Sequence, residues 1–153
     1  MAEYNFKVLK DFDDKLILEI KKLEIENLGK DAALNEWQIP VIIRYGKFIV
    51  ALNEGKKIIG VCQALKTWED INTAFIHSFY VIKDYRNKRV GTSLLNFVIN
   101  YFKKNKINTI KLTVDPENTA ALNLYKKAGF KVAAFLLNEY GKDKNRFLMF
   151  LEI

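Results

Sequence analysis

The sequence predicts an α/β fold of the α+β type, in which a mixed, mostly antiparallel sheet of about seven strands has helices on both faces. Short runs of alternating apolar residues recur along the chain, and segments with apolar residues at helical spacing lie between them. No internal repeat, low-complexity tract or linker interrupts the series. A chain of 153 residues is long enough for one core and short for two. We therefore expect a single domain over residues 1–153.

The chain is expected to begin with a strand and a helix. Apolar and polar residues alternate over residues 4–8, which is typical of a strand. Apolar residues then recur at helical spacing after Asp11, a candidate N-cap. The helix is predicted to run to about residue 28 and to be closed by Gly29.

A second helix and a hairpin follow. Residues 34–45 predict a short helix with Pro40 near a break. Two apolar segments, residues 48–52 and 58–64, predict a pair of strands. The turn between them contains Gly55, which we expect at the position where the backbone needs a positive φ.

The C-terminal half is predicted to contain two further helices. An apolar stripe over residues 90–102 predicts a helix that packs on the sheet. Asp115 followed by Pro116 predicts the start of the next helix, and Gly129 with Phe130 predicts a Schellman-type end. The other strands are expected at about residues 71–82, 107–114, 131–140 and 146–153, with a turn at Gly141 between the last two.

Composition excludes several classes of protein. Half of the residues are apolar and 13% are aromatic, which excludes a disordered or fibrous chain. The single cysteine, Cys62, excludes an intramolecular disulfide and a thiolate metal cluster, and we expect it to be buried. No basic segment with an apolar run follows Met1, and no stretch approaches bilayer-spanning length. We therefore expect a cytoplasmic protein without a membrane partner.

The net charge of +7 is unevenly distributed. Residues 1–80 carry 11 Lys/Arg and 12 Asp/Glu, whereas residues 81–153 carry 14 and 6. Such a chain is suited to holding an anion with its C-terminal half and receiving a cation with its N-terminal half. A composition rich in lysine and asparagine, with no anionic ligand to bind, explains the same charge counts.

A basic loop runs directly into the third predicted helix. The loop is Arg86-Asn87-Lys88-Arg89, and the helix opens with Val90-Gly91-Thr92. The first turn of a helix leaves amide hydrogens unpaired and carries partial positive charge, so a phosphate can bind to the backbone there. The three cations add long-range attraction, and Thr92 offers a hydroxyl. The pattern predicts a pyrophosphate site.

These residues resemble the cofactor signature of the GNAT superfamily of acyl-CoA-dependent N-acyltransferases. That signature reads Gln/Arg, two residues, Gly, one residue, Gly/Ala at a helix start, and Arg86 to Gly91 occupy its register. Residues 118–130 resemble the second cofactor element of the family, and the order of elements matches over nearly the whole chain. Arg89 stands where the first glycine is usual, and Asn87 where glycine is frequent. We expect Arg89 to adopt the same backbone angles.

The resemblance implies acetyl-CoA as cosubstrate and no metal. It assigns Tyr125 as the proton donor to the departing thiolate and the Val81 amide as the donor to the thioester carbonyl. Backbone groups of Phe79, Tyr80 and Val81 would hold the pantetheine arm. Asn118 lies two helical turns before Tyr125, so both polar groups are expected to face one ligand. The cofactor-binding residues are thus expected to be Phe79, Tyr80, Val81, Arg86, Asn87, Lys88, Arg89, Val90, Gly91, Thr92, Asn118, Ala121 and Tyr125.

Residues on the acceptor side are harder to assign. His77, the only histidine, shares a strand face with Val81 by alternation, and imidazole is suited to accepting the amine proton near neutral pH. A structural histidine, a water chain, Glu69 or Asp70 are the alternatives. Four aromatic residues either line an acceptor pocket or belong to the core or its rim: Trp37, Trp68, Tyr80 and Tyr140. Four acidic residues either attract a cationic acceptor or form the solvated face of the first helix and its following loop: Glu24, Glu26, Asp31 and Glu36.

The leading hypothesis is an N-acetyltransferase in which a primary amine attacks acetyl-CoA directly. The acceptor would be an amine-bearing small molecule or peptide, without a nucleic-acid partner, and the family makes a homodimer a further expectation. A non-catalytic, regulatory CoA-binding domain is the first alternative. The second is a nucleic-acid-binding protein that uses the basic loop and the lysines at 103, 104 and 106.

Overall fold

The computed structural model describes residues 3–153 and contains seven strands and four α-helices. The strands are β1 (Asn5–Leu9), β2 (Lys47–Leu52), β3 (Ile58–Lys66), β4 (Thr73–Val81), β5 (Thr109–Val114), β6 (Lys131–Leu136) and β7 (Arg146–Glu152). The helices are α1 (Asp14–Leu28), α2 (Gln38–Tyr45), α3 (Val90–Lys104) and α4 (Thr119–Lys127), with a short 3₁₀ turn at Lys83–Tyr85.

The strands form one mixed sheet in the order β1-β2-β3-β4-β5-β7-β6. The β4–β5 pair is parallel, and the pairs β1–β2, β2–β3, β5–β7 and β6–β7 are antiparallel. This architecture confirms the predicted fold class. By its contacts the chain divides into two compact units, of which unit 1 covers the described residues up to Leu65 and Ser78–Leu94, and unit 2 covers Lys66–His77 and Leu95–Ile153.

The core of unit 1 is built from apolar faces of α1, α2 and the strands β1 to β3. The buried residues of α1 are three, four and seven positions apart, and two buried residues of α2 follow Ile39 by three and four positions, which is the spacing of one helix face. One cluster of this core, which also takes in Tyr80 of β4, consists of Leu9, Ile17, Ile20, Leu34, Ile39, Ile42, Ile43, Phe48, Val50, Ile58, Val61 and Tyr80. Cys62 on β3 is fully buried as well, and burial raises the pKa of its thiol.

Helix α1 begins later than the sequence pattern predicted. Its N-cap is Asp13, whose carboxylate accepts a hydrogen bond from the Leu16 amide at 2.8 Å. Asp11 instead accepts from the Phe12 amide at 2.9 Å and from the Arg44 guanidinium at 3.0 Å. The prediction of Asp11 as the cap was therefore wrong, because this carboxylate is bound outside the helix.

Two further expectations for unit 1 are corrected. Pro40 lies in the first turn of α2, where its missing amide hydrogen has no helical partner, so it does not break the helix. In the β2–β3 turn the positive φ falls on Lys56, at 60°, and not on Gly55. The turn is held by Asn53, whose backbone carbonyl accepts from the Lys56 amide and whose side chain accepts from the Lys57 amide, both at 2.9 Å.

In unit 2, α4 is capped by Asn118 rather than by Asp115. The Asn118 side chain accepts from the Ala121 amide at 3.1 Å, whereas Asp115 accepts from the Glu117 amide in the preceding turn. Pro116 therefore lies outside the helix. Strand β6 ends at Leu136, four residues earlier than predicted, because residues 137–140 already belong to the turn before β7.

The end of α4 is the predicted Schellman motif. The Phe130 amide donates to the Tyr125 carbonyl and the Gly129 amide to the Lys126 carbonyl, both at 3.0 Å, and Gly129 has φ 99°. The rings of Tyr125 and Phe130 pack with their centroids 5.6 Å apart, which supplies the apolar contact that accompanies this motif. The helix end thereby fixes where Tyr125 sits in unit 2.

Glu24 on α1 is fully buried, which corrects the interpretation of this residue as part of a solvated face. Its carboxylate accepts three hydrogen bonds, from the Gln63 side-chain amide at 2.6 Å, the Tyr80 hydroxyl at 2.8 Å and the Leu34 amide at 3.2 Å. Desolvation raises the pKa of Glu24 and outweighs these hydrogen bonds, which lower it. Desolvation, and then the Glu24 carboxylate, also raise the pKa of Tyr80.

We predict that Gly129→Ala lowers the free energy of unfolding by about 1–2 kcal/mol, because alanine is disfavoured at positive φ. Gly55→Ala is the matched control, since Gly55 has no positive φ and its added Cβ would be 3.4 Å from the Asn53 side chain, an ordinary contact. Urea unfolding of both variants measures the difference. Equal losses at the two positions would contradict the assigned turn.

We predict that the stability of the wild type relative to Glu24→Gln falls as pH rises above 4.5, the ordinary value for glutamate. The folded carboxyl keeps its proton to a higher pH than the unfolded one, so its contribution is full below 4.5 and is lost as pH rises through the folded pKa. Urea unfolding between pH 4 and 8 measures this difference. A difference that stays constant over this range would rule out the raised pKa.

Candidate functional site

In unit 1, β4 is followed by a tight loop that turns into α3. The Tyr85 amide donates to the Ile82 carbonyl at 3.0 Å and closes the 3₁₀ turn. Beyond it, Asn87 has φ 59° and Arg89 has φ 63°. Arg89 thus takes the positive φ that was expected from the glycine position it occupies. Alternation of left-handed and right-handed residues makes successive amides converge, and such a concavity binds anions.

Two hydrogen bonds from outside anchor the loop and the 3₁₀ turn before it. The Tyr4 hydroxyl donates to the Lys88 carbonyl at 3.1 Å, and the Asn53 side-chain amide donates to the Tyr85 hydroxyl at 3.0 Å. The Lys88 ammonium lies over the Tyr85 ring, 5.4 Å from its centroid. Residues 86–89 are themselves exposed, so their charges face solvent while their backbone is held.

The first turn of α3 is seated on β3. Val90 and Leu94 are buried, and a Cβ added to Gly60 would come within 3.5 Å of Val90 and 3.3 Å of Leu94. Gly60 therefore permits the helix to start close to the strand. Sequence reasoning missed this residue, although a glycine inside an apolar strand is a signal of close approach. Thr92 is exposed on the same turn, and its hydroxyl is accessible.

The guanidinium of Arg86, which was expected to bind phosphate, makes two hydrogen bonds within the protein. Its Nε donates to the Val81 carbonyl at 2.9 Å, and its Nη2 donates to the Asn27 side chain on α1 at 3.4 Å. It therefore links the end of β4 to the end of α1. Lys88 and Arg89 supply the remaining exposed cations of the loop.

The three residues that end β4 differ in exposure. Phe79 and Val81 are half-buried, whereas the Tyr80 side chain is buried and donates to Glu24. Tyr80 therefore belongs to the core of unit 1, which is one of the two interpretations that the sequence left open for it.

In unit 2, α4 carries the other expected cofactor residues. Tyr125 is 6% exposed and packs on Phe130, while Asn118 is exposed at the start of the helix. The Asn118 side-chain carbonyl is used to cap the helix through the Ala121 amide. Asn118 thus caps the helix and Tyr125 is largely buried, and the expectation that both face one ligand stays a prediction.

His77 lies on β4 with an exposed side chain, and desolvation by the surrounding protein lowers the pKa of its imidazole. A lowered pKa keeps the ring neutral near pH 7, the form able to accept a proton. The Thr73 hydroxyl and the Asn72 amide lower the pKa of Asp70, so this carboxylate is a weaker base. Of these two candidate bases, His77 has the more suitable chemistry.

The residues considered for acceptor binding have varied surroundings. Trp37 and Trp68 are 82% and 99% exposed, and Tyr140 shares a hydrogen bond of 3.2 Å with Thr113. Glu36 pairs with Lys21 at 2.9 Å, and the hydrogen bond from this lysine lowers its pKa. Glu26 lies 3.9 Å from Lys22, and Asp31 is exposed.

Neither a metal-binding group nor a membrane span was found in the part of the chain that is described. Across residues 3–153, no three or more His, Cys, Asp or Glu side chains come together as a metal site would require. No helix within these residues combines the length and apolarity needed to cross a membrane.

Several proteins with similar sequences are named as acetyltransferases. A streptothricin acetyltransferase of Escherichia coli is 28% identical over 142 residues, which cover 91% of this chain and 78% of that protein. An uncharacterized N-acetyltransferase of Methanocaldococcus jannaschii is 35% identical over 89 residues, 56% of this chain and 39% of that protein. The chain spans less than half the length of this relative and of two Xenopus relatives that it matches.

Solved structures share the fold. The ribosomal-protein-S18-alanine N-acetyltransferase of E. coli superposes with a TM-score of 0.81 at 18% identity, covering 99% of this chain and 94% of that one. A Bacillus anthracis protein solved in complex with acetyl coenzyme A has a TM-score of 0.63 at 28% identity, covering 71% and 63%.

The sequence model of one family matches residues in each of the two units. It matches residues 16–130, which include the basic loop, α3 and all of α4. On this match, the chain belongs to the acetyltransferase (GNAT) family.

Proposed function

We propose that this chain is an N-acetyltransferase that transfers an acetyl group from acetyl-CoA to a primary amine by direct attack, with residues 1–153 acting as one domain. One observation carries the proposal: positive φ angles at Asn87 and Arg89 lead into a helix start beside two exposed cations. Family membership and the relative solved with acetyl coenzyme A point to the same ligand.

The chain's residues fit the diphosphate of coenzyme A. The amides of Val90, Gly91 and Thr92 lie in the first helical turn, where no helix carbonyl pairs with them, and would donate to phosphate oxygens. Lys88 and Arg89 would add charge-assisted contacts. The backbone of Phe79 to Val81 would hold the pantetheine arm, and Asn118 and Ala121 would contribute from α4. Acetyl-CoA would supply the activated thioester.

Three residues are proposed for the chemistry. The Val81 amide donates a hydrogen bond to the thioester carbonyl oxygen, which gains negative charge as the amine attacks. The Tyr125 hydroxyl gives its proton to the departing thiolate sulfur, and a phenol of ordinary pKa about 10 can do so when the two are held together. His77, kept neutral by its lowered pKa, accepts the proton that the attacking amine loses.

The acceptor class is a primary amine on a small molecule or peptide. One relative is named as a streptothricin acetyltransferase and another as an N-alpha-acetyltransferase, and both names describe acetyl transfer. The least regular segment of unit 1, between α1 and α2, is where we expect the acceptor to be selected.

We predict that CoA and acetyl-CoA stabilise the protein against heat and that duplex DNA does not. A ligand at 100 times its dissociation constant adds about 2.7 kcal/mol to the free energy of unfolding.

We predict that Arg89→Gly raises Kd for CoA about tenfold, because glycine accepts the same backbone conformation and only the guanidinium is removed. Lys104→Ala at the far end of α3 is the matched control and should leave Kd unchanged.

The outcomes of this comparison separate the three functions. Stabilisation by CoA without thiol release from acetyl-CoA and any amine of a panel would favour a non-catalytic CoA-binding domain. Response to DNA alone, with steep salt dependence, would favour nucleic-acid binding. No response to either CoA species would refute the proposal.

We predict that Tyr125→Phe lowers kcat at least tenfold and changes KM for acetyl-CoA less than twofold, because only the transferable proton is lost. Steady-state release of CoA thiol with a productive amine measures both constants. Tyr101→Phe, which removes a phenol hydroxyl from α3 in unit 2, is the control. Unchanged kcat, where chemistry limits the rate, would exclude Tyr125 as the acid.

A further inference from the structure

Two side-chain links in unit 1 join the last turns of α1 to the end of β4. In the first, the buried Glu24 carboxylate accepts from the Tyr80 hydroxyl at 2.8 Å. In the second, the Arg86 guanidinium donates to Asn27 at 3.4 Å and to the Val81 carbonyl at 2.9 Å. Consecutive residues of β4 are therefore held by side-chain contacts that reach the same helix.

A buried carboxyl is a costly way to stabilise a core. Glu24 is fully buried, and burial of a carboxyl opposes folding unless hydrogen bonds compensate for the lost water. The carboxylate nevertheless gathers donors from three elements: Leu34 before α2, Gln63 on β3 and Tyr80 on β4. These directional bonds fix the position of the carboxylate, which an apolar side chain in its place could not do.

We propose that Glu24 is a positioning residue for acetyl transfer, which acts through the Tyr80 hydroxyl to fix the Val81 amide. This inference rests on the proposed function, which assigns that amide to the thioester carbonyl. Glu24 itself is buried and touches no reacting atom.

The covalent geometry makes the connection short. The Val81 amide belongs to the peptide group that joins Tyr80 to Val81, and this group is planar. Fixing the Tyr80 side chain on one side and the Val81 carbonyl on the other restrains the rotation of that plane. A donor that stabilises a developing oxyanion must be aimed before the reaction, and small errors in its direction reduce the rate.

The test compares Glu24→Leu, Glu24→Gln and Tyr80→Phe with the wild type. Glu24→Leu and Tyr80→Phe should lower kcat about tenfold and leave Kd for CoA within twofold, because the link is lost while the phosphate site is intact. Glu24→Gln should retain at least half of kcat, since its amide oxygen still accepts from the Tyr80 hydroxyl. Glu19→Leu, an exposed change on α1, should not alter kcat.

A second measurement does not require turnover. Amide hydrogen exchange of the peptide spanning residues 79–82 should be about tenfold faster in Tyr80→Phe than in the wild type under native conditions, whereas exchange in β6 should be unchanged. Tyr80→Phe removes one oxygen atom only, so it also serves if Glu24→Leu does not fold.

Failure of the two proposals can be told apart. Absence of thiol release from the wild type would refute the proposed function, and the exchange experiment would still decide whether Glu24 restrains β4. Tyr80→Phe with unchanged exchange at 79–82, or with kcat within twofold of an active wild type, would overturn the positioning role. A lowered melting temperature with unchanged kcat would assign Glu24 to stability alone.

Discussion

The structure of unit 1 depends on how closely the start of α3 approaches β3. Gly60 leaves room for Val90 and Leu94, and a single added Cβ would meet Leu94 at 3.3 Å. Because the helix is seated there, the preceding loop has to reverse direction within a few residues, and Asn87 and Arg89 adopt positive φ. Strain at these residues is of the order of 1–2 kcal/mol each. Local strain of this kind is tolerated where the surrounding contacts hold it.

Those contacts are polar and come from separate parts of the chain. Tyr4 reaches the loop from before β1, Asn53 from the hairpin, and Asn27 from α1 through Arg86. The loop is therefore exposed without being free, and its backbone amides are pre-organised before any ligand arrives. Pre-organisation of donors is what binding of a flexible, doubly charged group requires, since the cost of ordering the site has already been met by folding.

Much of this structure follows from patterns in the sequence, because hydrophobic periodicity reflects burial directly. The strands, the four helices and the Schellman end at Gly129 were predicted within a few residues. Helix caps were predicted less well. Asp11 and Asp13, and likewise Asp115 and Asn118, are residue types that are equally favourable at an N-cap, so the sequence does not decide between them.

Some features of the site could likewise be predicted from the sequence, and others could not. Burial of Glu24 was predictable, because it follows Ile17 and Ile20 by seven and four residues and lies on the apolar face of α1. The partners of Arg86 were not, because a guanidinium reaches either a phosphate or a carbonyl and the sequence does not state which is nearer. Positive φ at Lys56, beside an available glycine, depends on how the hairpin register closes.

Seclusion of Cys62 has a practical consequence for enzymology on this protein. It is the only sulfhydryl in the chain, it lies wholly inside the core of unit 1, and its ionisation is suppressed there. Disulfide-exchange dyes and maleimides should therefore react with liberated coenzyme A and leave the native polypeptide untouched. Colour development above the reagent blank would then count acyl transfers directly, and slow labelling of Cys62 would report unfolding in the same cuvette.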